Sequence, residues 1–89
     1  MKTNFNKLLK EVYEFEEKAG FEKTSEDKLV EWLGEEVDNY NSAKTKLVKR
    51  NKLMDIVVLV FQIARRDGMS MDDAWEKWWK KSEKYLKRK

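Results

Sequence analysis

Two pairs of polar side chains occur within segments of helical pattern, and the two members of each pair are three residues apart. Glu36 and Asn39 form one pair, and Lys52 and Asp55 form the other. Side chains at this spacing share a face of a helix, so two antiparallel helices that carry them can surround one cation. Four carboxylates at such a place would hold hard divalent ions, which neutralise phosphate charge and activate water. The spacing therefore indicates a possible site for chemistry at phosphates.

The residue types that are missing exclude several kinds of chemistry. The chain of 89 residues contains no cysteine and no histidine. Disulfides, thiolate metal sites, cysteine nucleophiles and imidazole acid–base catalysis are therefore excluded. A metal bound by this chain would need carboxylate, amide and water ligands, which favours Mg²⁺, Mn²⁺ or Ca²⁺.

The charge is divided unevenly along the chain. Residues 1–45 hold 7 basic and 11 acidic residues, a net charge of −4, whereas residues 46–89 hold 13 basic and 6 acidic residues, a net charge of +7. A basic half can attract phosphates or nucleic acid. A solvated, lysine-rich helix surface is the simpler interpretation, so we do not expect a nucleic-acid partner. The longest apolar run is too short to cross a bilayer, which predicts a cytoplasmic protein without a membrane partner.

Four segments with helical periodicity would position the polar pairs. Apolar residues recur at steps of three and four, which predicts helices over about 3–19, 25–44, 46–66 and 71–87. Glycines are placed to end the first and third helices, and capping pairs are placed to begin the second and fourth: Gly20, Gly68, Thr24 with Asp27, and Ser70 with Asp73.

The third segment contains a conflict between local composition and period. Residues 56–61, IVVLVF, are rich in β-branched side chains and resemble a strand locally. A lone strand needs a partner, and no other segment alternates with a period of two. Helical spacing continues on both sides of the run, so we predict a helix that is apolar nearly all round and therefore central.

The whole pattern predicts an all-α fold of four helices in a single domain spanning residues 1–89. Eleven aromatic residues give this short chain a large apolar surface. A small helical unit of this composition is often completed by a second copy. We therefore expect a homodimer or a higher homo-oligomer.

The stretch WLGEEVDNYNSA, followed by KLMDIVVLVFQIARRDGMSMDDAWEKWWKKSEKY, resembles the MazG-type, all-α nucleotide pyrophosphatases over about residues 25–86. The family pattern is E-E-x-x-E, a spacer and E-x-x-D, followed by an apolar helix, a turn and a last helix with spaced basic residues. The resemblance implies a MazG-like, oligomeric helical fold that binds nucleoside triphosphates. It also implies hydrolysis with Mg²⁺ to a monophosphate and pyrophosphate.

The metal-binding positions of that family are only partly kept here. Glu35 and Glu36 lie at the double glutamate and Asp55 at the final aspartate, which implies Glu35 as a catalytic candidate and Glu36 and Asp55 as metal ligands. Asn39 replaces the third glutamate, and Lys52 replaces the glutamate of E-x-x-D. Two of the four expected ligands are therefore not carboxylates, so the resemblance implies a weak or vestigial Mg²⁺ site.

The last helix and two tryptophans supply further predicted contacts. The family's basic–x3–Asn–x2–basic spacing falls on Lys77, Lys81 and Lys84, with lysine in place of asparagine, which implies phosphate binding. Trp32 and Trp79 lie off the main apolar stripes of their helices. They are therefore candidates for contact with a ligand or a partner, and an aromatic face can stack on any base.

These residues lead to one functional hypothesis and two alternatives. Lys52 brings a fixed positive charge among the acids, where it can take over part of a metal's electrostatic role but cannot activate water. The leading hypothesis is a MazG-like protein that binds or sequesters a nucleotide or related phosphate ligand, held in part by Lys52 and Asn39, with little or no hydrolysis. The alternatives are an active Mg²⁺-dependent nucleoside triphosphate pyrophosphohydrolase, and a helical protein-interaction module on the same scaffold.

Overall fold

The computed structural model describes residues 4–86 and contains four α-helices joined by short turns. The helices are α1 (Phe5–Ala19), α2 (Glu26–Ser42), α3 (Lys46–Arg66) and α4 (Met71–Leu86). No strand is present between residues 4 and 86, so the prediction of an all-α fold with four helices is confirmed. The predicted helix ends at residues 3 and 87 lie outside the described residues.

The turns show why the helices end where they do. Gly20 adopts a left-handed conformation (φ 81°) that an L side chain disfavours, and it closes α1. Gly68 does the same after α3 (φ 66°), where the Met69 N–H donates to the carbonyl of Ala64 at 3.0 Å. Both predicted glycine stops are confirmed.

The cap of α2 lies one residue from the predicted position. The Ser25 hydroxyl accepts from the Lys28 N–H at 3.2 Å, so the predicted pair of Thr24 with Asp27 is wrong. Thr24 belongs to the preceding turn instead, because its N–H donates to the Phe21 carbonyl at 3.0 Å. The capping pair predicted for α4 is confirmed by a bond between the Asp73 N–H and the Ser70 hydroxyl at 3.3 Å.

The far end of α2 is shorter than predicted. It ends at Ser42 rather than at residue 44, because Ala43 is extended and Thr45 already caps the next helix. The Thr45 hydroxyl accepts from the Val48 N–H at 3.2 Å. Residues 43–45 therefore form the tight turn that makes α2 and α3 neighbours.

Helix α3 packs along both α2 and α1, whereas α4 packs on α1. The IVVLVF run lies inside α3, so its interpretation as helix is confirmed. The first turn of α1 holds α4 in place. The Phe5 ring lies 5.6 Å from that of Trp75 and 6.2 Å from that of Phe61, and the Phe5 N–H donates to Asp72 Oδ1 at 2.8 Å.

The buried core is small for a chain with so many apolar residues. Its apolar part consists of Leu29, Leu59, Phe61 and Ala64. The predicted central helix α3 does pack on two other helices, but one of its sides, including Val57, remains exposed. The radius of gyration is 15.2 Å, whereas about 12 Å is expected for a compact chain of this length. The single chain is therefore an open arrangement of helices.

Candidate functional site

Four of the predicted residues meet between α2 and α3, and we call them the α2–α3 cluster: Glu36, Asn39, Lys52 and Asp55. The Lys52 ammonium lies 3.3 Å from Glu36 Oε2 and 3.7 Å from Asp55 Oδ2. The Asn39 amide donates to Glu36 Oε1 at 2.8 Å. The two i, i+3 pairs of the sequence therefore face one another across the helix pair. Lys52 and Glu36 are only 30% and 19% exposed, so their attraction is partly shielded from water.

The two carboxylates of the cluster titrate differently. The hydrogen bond from Asn39, reinforced by Asp55 and Lys52, lowers the pKa of Glu36 despite its partial burial. Burial, together with a hydrogen bond and repulsion from Glu36, raises the pKa of Asp55 against the opposing effect of Lys52. Glu36 therefore ionises first, and Asp55 keeps its proton to a higher pH than an isolated aspartate.

The donor set of the cluster does not fit a divalent cation. Both oxygens of Glu36 already accept hydrogen bonds, from Asn39 and Lys52, and Asp55 pairs with the same ammonium. Mg²⁺ demands oxygen ligands in near-octahedral geometry, and the positive charge of Lys52 repels a second cation. Among residues 4–86, no group of three or more acidic side chains is arranged to hold a metal.

An apolar groove opens beside the α2–α3 cluster, and we call it the α1–α3 groove because its walls belong to the first three helices and the turn after α1. Its volume is about 760 Å³, within the range of small-molecule sites. Trp32 and Glu35 line it, and Glu36 and Asp55 connect it to the cluster. The Trp32 ring packs edge-on against Phe21 at 6.4 Å. The remaining lining residues are Leu8, Glu11, Val12, Phe15, Met54, Val57, Val58, Leu59, Phe61 and Gln62.

The predicted residues of α4 do not join the cluster within one chain. The Lys77 ammonium pairs with Asp73 of its own helix at 3.1 Å. Lys84 lies over the ring of Tyr85, 5.2 Å from its centroid. Lys81 and Trp79 line a separate cavity of about 460 Å³ on α4. The prediction that Trp79 lies off the apolar stripe of α4 is wrong, because its ring stacks on that of Trp75 at 6.2 Å. The structure therefore divides the predicted site residues into an α2–α3 set and an α4 set.

A buried charge network that the sequence reasoning missed holds the groove walls together. Glu16 is fully buried, and its Oε1 accepts from Arg65 and Arg66 at 2.9 and 3.0 Å. Its Oε2 accepts from Gln62 at 2.8 Å and from Arg66 at 2.7 Å. Arg66 also donates to the carbonyl of Thr24 at 2.8 Å. The network thus ties α1, the turn before α2 and the end of α3 into one unit.

The ionised form of Glu16 is the stable one in the fold. Burial opposes its charge, but the hydrogen bonds from Arg66, Gln62 and Arg65 outweigh that effect and lower its pKa. The sequence held one signal of this role, because Glu16 lies four residues after Val12 and seven after Leu9, on the apolar stripe of α1.

Comparison of this chain with family models, curated proteins and solved structures found no match. The resemblance to the MazG-type pyrophosphatases therefore stays a prediction that rests on the residues quoted above. No helix within residues 4–86 is both long enough and apolar enough to span a bilayer.

Proposed function

We propose that this chain is a MazG-like protein that works as a homo-oligomer and binds a nucleotide or related phosphate ligand with little or no hydrolysis. The observation that carries the proposal is the position of Lys52, whose ammonium lies 3.3 Å from Glu36 and 3.7 Å from Asp55. The resemblance assigns these positions to metal ligands. An ammonium supplies positive charge there, but unlike a divalent ion it does not lower the pKa of a bound water.

The α1–α3 groove supports a ligand that has an apolar, planar part. Trp32 and Phe21 form an aromatic wall beside the acidic end of the groove. Stacking of a base on such a wall contributes about 1–3 kcal/mol and tolerates any base. The phosphates would then extend toward Lys52, which is the basic residue of the α2–α3 cluster.

Isothermal titration with a nucleoside triphosphate, in EDTA and in Mg²⁺, tests the proposal together with an assay for pyrophosphate. We expect binding in EDTA and no turnover above the uncatalysed rate. Rapid release of pyrophosphate in Mg²⁺ would contradict the proposal and support an active pyrophosphohydrolase.

The variant Lys52→Glu examines the role of the ammonium. A carboxylate at this place repels phosphate, so we expect binding in EDTA to weaken about 10-fold or more, the effect of 1.4 kcal/mol. Lys46→Glu makes the same charge change on an exposed residue at the start of α3 and should leave affinity within about twofold. Lys52→Glu combined with Asn39→Glu should gain affinity for Mg²⁺. If the double variant gains none, the assignment of these positions is wrong.

The exposed apolar surface favours a second candidate function, a helical module that docks on a protein partner. Phe15, Trp78 and Leu86 are among the large apolar side chains that the described chain leaves exposed, and such surface marks interaction sites. The absence of a thermal shift with any nucleoside mono-, di- or triphosphate would favour this candidate, because a ligand specific for the native state raises its melting temperature.

A further inference from the structure

Three aromatic side chains from α1, the turn after it and α2 line the α1–α3 groove, and we call them the groove aromatics: Phe15, Phe21 and Trp32. The ring centroids of Phe15 and Phe21 are 6.2 Å apart, and those of Phe21 and Trp32 are 6.4 Å apart. The planes of these two pairs meet at 45° and 79°, so the rings face the groove in different directions. Phe15 and Phe21 are both exposed, and a ligand in the groove can therefore reach them.

The groove also carries negative charge that the chain does not neutralise. Of the lining residues that the structure describes, every charged one is acidic. Glu36 and Asp55 share the Lys52 ammonium. Glu11 of α1 and Glu35 of α2 line the groove as well, and within the described part of the chain neither carboxylate has a hydrogen-bond or ion-pair partner. Two carboxylates are therefore available to a ligand.

These two carboxylates lie beside the groove aromatics along their own helices. Glu35 follows Trp32 by three residues on α2, and Glu11 precedes Phe15 by four residues on α1. Side chains at these spacings are neighbours on a helix surface, with about 5–6 Å between their Cβ atoms. A carboxylate thus accompanies an aromatic ring on two walls of the groove.

This combination of side chains favours a positively charged ligand group. An aromatic face attracts a cation because of its negative π-electron density, and proteins hold organic cations among non-parallel rings. Trp32 shows this attraction within the chain, because the Lys28 ammonium lies over its ring, 5.9 Å from the centroid. The carboxylates add a Coulomb attraction for a cation and repel an anion.

We infer that the α1–α3 groove selects nucleotides whose base carries a fixed positive charge. This inference rests on the proposed function, because the phosphates are again those that extend toward Lys52. Trp32 and Glu36 are four residues apart on α2, so about one helical turn, roughly 5.4 Å, separates the aromatic end of the groove from the α2–α3 cluster. A base on the groove aromatics therefore leaves its sugar and phosphates beside Lys52, which lies 3.3 Å from Glu36. Stacking tolerates any base, so the selection comes from charge.

Triphosphates that differ by one methyl group test this selection. Methylation of guanine at N7 fixes a positive charge on the base, whereas methylation at O6 adds a methyl group without charge. Titration calorimetry in EDTA, at a mildly acidic pH that keeps the N7-methylated base cationic, compares GTP with both methylated forms. We expect 7-methyl-GTP to bind about 10-fold or more tightly than GTP, and O6-methyl-GTP to stay within about threefold of GTP. Equal affinities for GTP and 7-methyl-GTP, or an equal gain from both methyl groups, would overturn the inference.

The corresponding nucleosides separate this inference from the proposed function. If 7-methylguanosine binds as tightly as 7-methyl-GTP while guanosine binds weakly, the selection of a cation stands and the proposed phosphate contact fails. If GTP and 7-methyl-GTP bind equally, and both far more tightly than guanosine, the proposed function stands and the inference fails. If none of these ligands binds, both are refuted.

Variants of the two unpaired carboxylates test the source of the selection. Glu11→Gln combined with Glu35→Gln should reduce the preference for 7-methyl-GTP to about threefold or less. The same double variant should bind GTP more tightly, because the charges that it removes repel phosphate. Glu14→Gln removes an exposed carboxylate of α1 outside the groove lining, and should leave the preference within about twofold of its wild-type value. An undiminished preference in the double variant, or an equal loss in the control, would contradict the inference.

The Trp32 ring provides a second, independent test. Trp32→Leu keeps an apolar side chain in the groove but removes the aromatic face. Its affinity for 7-methyl-GTP should fall about threefold further than its affinity for O6-methyl-GTP, because only the first ligand loses a cation–π contact. Trp79→Leu makes the same change on α4, outside the groove lining, and should change neither affinity by more than about twofold. Equal losses of both ligands in Trp32→Leu would show that the ring supplies contact area alone and would count against charge selection.

Discussion

The titration of a single aspartate reports the electrostatics of the α2–α3 cluster. The pKa of Asp55 is raised above its ordinary value of 3.8 by burial and by Glu36, and the Lys52 ammonium opposes that rise. Lys52→Met should therefore raise the pKa of Asp55 further, which carboxyl NMR of the labelled protein can measure. Lys46→Met is the control and should leave that pKa in place. An Asp55 pKa that Lys52→Met does not move would mean that the ammonium lies elsewhere in solution.

Glu16 offers a second prediction at the same scale. Glu16→Gln leaves two arginines without their buried carboxylate, so the free energy of unfolding should fall by about 3 kcal/mol. Glu17→Gln makes the same change on a side chain that is 57% exposed and 3.9 Å from Arg65, and should cost less than about 1 kcal/mol. Urea unfolding of both variants gives the comparison. Equal losses would show that burial of Glu16 is not what stabilises the network.

The pH dependence of this network has a definite sign. The pKa of Glu16 is lowered from 4.5, so the stability that its charge contributes is fully present above that ordinary value. It is lost as the pH falls through the lowered pKa of the native state. Acid unfolding of Glu16→Gln should therefore lack this part of the loss below pH 4.5.

Residue spacing predicted the α2–α3 cluster but not the buried network, for physical reasons. The i, i+3 rule places Glu36 with Asn39 and Lys52 with Asp55 on shared helix faces. The short turn between α2 and α3 then brings these two faces together. Glu16 finds its partners 46 to 50 residues away. Such pairing depends on how helices cross, which no local pattern contains.

At the scale of elements, helix positions followed from period and from turn residues, even through the β-branched run of α3. The burial of these helices could not be predicted in the same way. An apolar stripe indicates that a helix face will be covered, but it does not indicate which element covers it. Phe15 lies three residues after Val12, on the apolar stripe of α1, yet it lines the open groove and is exposed within the single chain.

Two glycines provide a matched test of the helix ends. Gly20→Ala places a side chain at φ 81° and should cost about 1 kcal/mol. Gly34→Ala lies inside α2, where an added Cβ meets no atom within 4 Å, so it should stabilise the helix by about 0.5–1 kcal/mol. Thermal unfolding of both variants decides this. A loss of stability from Gly34→Ala would show that a second chain packs closely on that side of α2.

At the scale of the whole molecule, the open arrangement of helices predicts that stability depends on the proposed assembly. The chain extends over 46 × 34 × 22 Å and leaves apolar faces of all four helices uncovered.

If a second copy covers these faces, unfolding is coupled to dissociation, and the melting temperature rises with protein concentration. A 100-fold increase in concentration should stabilise a dimer by about 2.7 kcal/mol, or about 5–10 °C. Calorimetry across that range measures the shift. A variant with Trp78→Ala and Trp79→Ala, which removes two half-exposed rings of α4, should melt at a lower temperature that does not change with concentration. A wild-type midpoint that is equally insensitive to concentration would mean that the native state is a monomer.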